Sequence, residues 1–224
     1  MNWFDSESGK SLVNFEQEVI KKYLDQKFGY YALQLGVHKN NLIKNTKIKN
    51  QVVVNGKEKN VDLDAEWLPF AFDSIDLVLC LHIFEKVGDP KKLMDELFRV
   101  TVSGGYVVLC GFNPISFAGL RKIVKFDNFF PWNGSFISIS KVQSLLKESG
   151  FTLRESKLKH YQPMFFDNKS SINDNLEKIG NRWLPLFGNI YFLVAEKVTV
   201  SKIPKKQKWN RIKQRKVVAT KSYD

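Results

Sequence analysis

Apolar positions along this chain keep two different rhythms. Between residues 11 and 26, Leu12, Phe15, Val19 and Tyr23 recur at helical spacing with charges between them, so an amphipathic helix is predicted to cover a sheet edge or cap a pocket. Short apolar runs then take over. YYALQLG at 30–36 reads as a buried strand entering a turn at Gly36, and QVVVNG at 51–56 as a second strand. The polar stretch between them has room for only two or three helical turns, a reduced crossover. SIDLVLCLH at 74–82 supplies a third buried strand. It is followed by a helix with Asp89 as N-cap, Pro90 in the first helical position, and Leu93, Leu97 and Val100 on one face.

SGGYVVLCGF at 103–112 is the next strand, entered through a Gly-Gly turn. Ser140 and Gln143 are spaced as a capping box ahead of a helix that Gly150 stops. FTLRESKL at 151–158 returns to strand, 176–187 reads as an irregular helix, and NIYFLVAEKV at 189–198 closes the series. Strands alternating with helices predict an α/β fold, a parallel sheet covered on both faces with right-handed crossovers.

The size suits one domain with a short appendage, and 43% apolar with 26% charged residues is globular composition. No run approaches the roughly 20 apolar residues of a membrane span, and MNWFDSESGK lacks a basic-then-apolar leader, so a cytoplasmic protein is expected. Cys80 and Cys110 lie inside apolar runs without metal-ligand or disulfide spacing, which makes both reduced core residues and predicts no metal site.

Charge divides the chain further. Of the formal +12, residues 199–224 hold nine Lys and Arg against Asp224, a net of 9 − 1 = +8, leaving about +4 on the body. A domain over 1–198 and a basic tail over 199–224 follow. The tail is suited to nucleic acid or an anionic surface, or is simply a solvated Lys-rich end.

The most specific pattern is DLDAEWLPFAFDSIDLV at 62–78, followed at a fixed distance by SGGYVVLCG. Asp64, Leu68-Pro69-Phe70, Ser74-Ile75-Asp76 and Gly104-Gly105 stand in an order that resembles the type 11 group of class I S-adenosylmethionine (SAM)-dependent methyltransferases. GFNPISFAGLRK at 111–122 and GNRWLPLFGNIYFLVAEK at 180–197 extend the likeness into a proteobacterial branch of unassigned substrate, over roughly residues 3–197. The resemblance implies a Rossmann-like, seven-stranded, mostly parallel sheet with helices on both faces, and SAM as cofactor.

It also implies where that cofactor lies. The residue equivalent to Asp64 accepts a hydrogen bond from the adenine amine, and Ala65 and Glu66 line the base, as a buried carboxylate with a purine donor would. The Leu35-Gly36 turn faces the methionine and ribose portions, and Leu81 flanks them. This sequence departs from the pattern at Gln34, where an acidic residue is usual, and at His38 and Asn40, where glycines are. Asn55 stands at the end of the second strand where a ribose-binding carboxylate is usual, with Glu58 a few residues on. An amide makes weaker hydrogen bonds than a carboxylate, so weak cofactor affinity or other ribose contacts are expected.

Methyl transfer needs a base only when its acceptor arrives protonated. His82, at the end of the third strand, has the right intrinsic pKa, with Glu85 one turn on to orient it; the alternative is a packed core histidine. Asn113-Pro114 either holds a planar nitrogen or shapes a turn that aims Phe112 and Ser116. The aromatic stretch 112–136 forms a lid over an apolar acceptor, rests on a membrane, or packs as core. Three functions fit: a methyltransferase acting on a small or amphipathic acceptor, a non-catalytic scaffold whose basic tail engages RNA or protein, or a nucleic-acid methyltransferase guided by the tail.

Overall fold

The structure is a computed structural model that describes residues 3–25, 27–36, 41–44, 46–55, 67–124, 130–161, 182 and 185–199. Helix α1 (Glu7–Leu24) starts four residues earlier than its apolar pattern, because Ser6 caps it by accepting a hydrogen bond from Gly9 N. Ahead of it Trp3–Asp5 forms a short 3-10 turn. Strands β1 (Tyr31–Gly36), β2 (Asn50–Asn55) and β3 (Ile75–Leu81) follow, then α2 (Pro90–Val100), β4 (Thr101–Phe112), α3 (Phe117–Val124), α4 (Ile139–Glu148), β5 (Phe151–Lys159) and β6 (Ile190–Lys197).

The described sheet has six strands in the order β2-β1-β3-β4-β6-β5. The first four run parallel, whereas β6 is antiparallel to both β4 and β5. The predicted α/β class and mostly parallel sheet are therefore present, with six strands rather than seven among the described residues. Residues 41–44 and 46–49 form turns and bends, so the crossover between β1 and β2 is reduced beyond expectation.

Two apolar layers sandwich the sheet. Leu12, Ile20 and Leu24 of α1 pack on one face against Leu77, Leu79, Val108 and Phe192. On the other, Leu93 and Leu97 of α2 and Val142 and Leu146 of α4 meet Val78, Val107 and Leu193. Alternate residues along the inner strands enter opposite layers, which is why those strands read as continuous apolar runs.

Asp89 caps α2 as predicted, accepting from Lys91 N and Lys92 N. For α4 the capping box is displaced: Ser138 is the N-cap and accepts from Lys141 N, while Ser140 lies inside the helix. Spacing alone did not separate two serines two positions apart; the chain's entry angle did. Of the predicted irregular helix at 176–187, Pro185–Phe187 is a 3-10 turn, and all but Arg182 of the remainder lies outside the described residues. No helix among the described residues is long and apolar enough to cross a membrane.

Candidate active site

The carboxyl ends of β1, β2 and β3 finish level with one another. Gly36 is paired with Asn55 on one side and with Leu81 on the other. From β1 the chain steps outward to β2 and then back past it to β3, so strand order reverses between β1 and β3, the place where open α/β sheets bind ligands. A Cβ on Gly36 would lie 3.1 Å from Leu81 Cβ, closer than side chains ordinarily approach. Leu35 and Leu81 bury their side chains in opposite layers, and that of Leu81 stands against Gly36.

Gln34 is fully buried, and its Oε1 accepts from Leu42 N at 2.8 Å. It ties the chain that returns from the turn to β1, a task an amide performs without leaving a charge in the core. His38, Asn40, Glu58, Asp64, Ala65 and Glu66 lie outside the described residues, as does the side chain of Asn55.

Just beyond Glu66 the chain is clamped to α2. Leu68 N donates to Glu96 Oε2 at 2.9 Å, and Arg99 donates to Leu68 O and Phe70 O at 2.9 Å each. Arg99 Nε also meets Glu96 Oε1 at 2.7 Å, and that guanidinium holds the Glu96 carboxyl below its usual range. Asp76 accepts from Tyr30 N and Tyr31 N at 2.9 Å each, fixing the start of β1. Arg99 and Glu96 were missed from sequence because their partners lie 28 to 31 positions away.

His82 follows β3 directly, with φ at +52°, a left-handed backbone uncommon outside glycine. The turn carries its ring beneath α1, fully buried. Nε2 lies 2.7 Å from Glu16 Oε1, and Nδ1 lies 3.4 Å from Glu85 Oε1. Glu85 Oε1 also accepts from Phe112 N at 2.6 Å, while Glu85 Oε2 is buried without a hydrogen-bond partner among the described residues. Burial opposes charge on the ring, but the Glu16 carboxylate and Cys110 outweigh it and raise the His82 pKa well above its ordinary value. The His82 ring is thus held between two glutamates, and the Glu16 carboxylate favours its charged form.

Cys110 Sγ stands 3.6 Å from Glu16 Oε1 and 3.9 Å from His82 Nε2, so this cysteine borders the cluster instead of being only core. Glu16, His82 and Cys110 bring three potential metal-donor atoms within 4.8 Å of one another. Burial raises the Cys110 thiol pKa far above its usual value, opposing the thiolate a metal needs.

Aromatic rings close the cluster off. Phe112 lies 4.3 Å from the His82 ring centroid and Phe4 5.7 Å, while Trp3, Trp132 and Phe136 surround Phe112. Of the open alternatives for 112–136, inward packing describes Phe112 and Trp132; Lys125, Phe126 and Phe129 lie outside the described residues. Asn113 turns its amide to backbone, with Nδ2 facing Ile115 O, Leu186 O and Gly188 O and Oδ1 accepting from Ile115 N. It shapes the turn.

Strand order, the reversal beside Gly36 and the block at 62–78 agree with comparison to known proteins. Residues 22–109 match the family described as a methyltransferase domain. Over that segment the chain is similar to methyltransferase domains, and its fold is that of solved methyltransferases. It is 28% identical over 222 residues to YafS of Escherichia coli K12, covering 96% of this chain and 89% of that protein. Among solved structures, the Haloferax volcanii methyltransferase seen in complex with the Trm112 methyltransferase activator superposes with a TM-score of 0.60 at 14% identity, over 86% of this chain and 93% of that one. A SAM-dependent methyltransferase of Thermotoga maritima gives 0.55 at 18%, over 87% and 97%. At such identities the structural likeness is one of fold. Within this fold, the His82 cluster lies at the end of β3, beside the strand reversal.

Proposed function

We propose that the protein is a methyltransferase that uses SAM to methylate a small or amphipathic acceptor. The observation that carries this reading is the level ending of β1, β2 and β3 at the strand reversal, with Gly36 bare of side chain and His82 on the adjacent turn. What supports cofactor binding there is Gly36, bare of side chain at the strand reversal. Leu35, Gly36 and Leu81 would contribute main chain, Asn55 the ribose contact, and Asp64, Ala65 and Glu66 the adenine contacts. When bound, SAM supplies an electrophilic methyl group on sulfonium, which a nucleophile displaces in line, leaving the protein to align the partners, exclude water and dispose of any proton.

His82 is the proposed catalytic residue, acting as part of the Glu16–His82–Glu85 centre. Glu85 stands 3.4 Å from Nδ1 and orients the ring, while the Glu16 carboxylate favours its charged form. The aromatic wall of Phe4, Phe112 and Trp132 keeps water from the centre. Likeness to YafS supports the proteobacterial placement.

Calorimetry with SAM and its demethylated product tests the reading. The wild type is expected to bind both, and Asp64→Ala neither. Absence of binding by wild type would turn the reading to the non-catalytic scaffold.

A further inference from the structure

On the sheet face that α1 covers, the helix stops short of the antiparallel edge. Between α1 and β5 lies an open groove of about 400 Å³. Lys22 and Lys27 stand along one wall and Lys157 and Lys159 along the other, with Glu155 the one carboxylate in the lining, a net of 4 − 1 = +3. Lys22 and Lys157 are exposed, Lys27 and Lys159 half-buried. Two of these cations sit over rings: Lys27 Nζ is 3.3 Å from the Tyr106 centroid and Lys157 Nζ 5.6 Å from that of Tyr23. Burial already lowers the Lys27 pKa, so an anion placed there would be welcome electrostatically.

Sheet register places the groove relative to the candidate site. Lys157 is opposite Phe192, itself opposite Cys110, and Lys159 is opposite Ile190, itself opposite Phe112. The lysines therefore stand two strand spacings, about 10 Å, from the strand that carries Cys110, and Lys159 marks the sheet end where His82 lies. β6 ends at Lys197 opposite Phe151, and from there the sequence continues into the +8 segment of 199–224.

We propose that this groove binds single-stranded nucleic acid, with the phosphates along Lys22, Lys27 and Lys159, Lys157 being paired with Glu155 at 2.8 Å. A positive channel flanked by aromatic rings is the arrangement that holds such strands without sequence readout. An acidic peptide is the other polyanion to weigh. Pairing with β5, the edge strand among the described residues, would set a peptide beside the sheet, away from Lys22 and Lys27, whereas a phosphodiester chain needs no strand partner and lies on the face.

Fluorescence anisotropy of the full chain with a labelled oligouridylate tests this, and its readout is independent of methyl transfer. Binding is expected to weaken steeply with salt, each phosphate contact contributing about 0.7 to the slope of log K against log salt. Lys22→Glu combined with Lys159→Glu, two changes on a polar surface, should weaken binding at least about tenfold at low salt and flatten that slope by about 1.4. Circular dichroism confirms that the variant stays folded. Undiminished binding by the double variant, equal binding of a polyglutamate of matching charge, or no binding by wild type would each overturn the proposal.

Discussion

Glu16→Ala removes one member of a pair that is wholly inside the protein. Glu16 and His82 are both fully buried, and their closest atoms are 2.7 Å apart. At an effective dielectric near 20 the gross attraction at that distance is about 6 kcal/mol, much of it offset by the desolvation of both charges. Breaking such a pair from one side strands the other charge, and about 3–5 kcal/mol of stability should be lost. Glu16→Gln, which keeps the shape, should lose less. In a cycle with His82→Asn, chosen because Asn tolerates positive φ, the coupling should reach about 2–3 kcal/mol. The pH dependence has a definite sign. Because the folded pKa of His82 is raised above its unfolded value, the pair's stabilisation is complete below the unfolded value and disappears as pH rises through the folded one. Urea denaturation followed by tryptophan fluorescence at neutral and alkaline pH measures all of this. A loss below about 1 kcal/mol for Glu16→Ala, coupling within about 0.5 kcal/mol of zero, or no narrowing of the wild-type advantage at high pH would refute the ion-pair account.

Two further outcomes follow from the same geometry. His160 is buried, with φ at +63°, and burial lowers its pKa to about 4, so the native state keeps it neutral while the unfolded chain protonates near 6.5. Its contribution is present above 6.5 and is lost as pH falls towards 4. The stability advantage of wild type over His160→Asn should therefore shrink by roughly 2–3 kcal/mol between pH 7 and 4.5, and denaturation midpoints that move in parallel would contradict this. Arg99→Ala frees Leu68 O and Phe70 O from α2, so calorimetry should show SAM affinity falling by roughly tenfold or more, equivalent to about 1.4 kcal/mol, and unchanged affinity would separate this clamp from cofactor binding.

Periodicity alone determined most of the sheet. The inner strands are buried on both faces, so their sequences are unbroken apolar runs, and Asp89-Pro90 announced α2 because its capping chemistry is local. Gly36 and His82 were legible as strand-end positions for the same reason. Glu16 was not, although one signal was there: it lies between Leu12 and Ile20 on the buried stripe of α1, where a charge needs a partner. The partner is 66 positions away. Which serine caps α4, how Arg99 clamps Leu68 and Phe70, that His82 lies between two glutamates, and that lysines from α1 and β5 face one groove were all decided by tertiary structure. Capping and burial patterns are short-range consequences of the backbone's need for hydrogen bonds and of apolar periodicity, and so are written along the chain. Charge states and pairings depend on distances between segments, and those exist only once the sheet has brought the segments together.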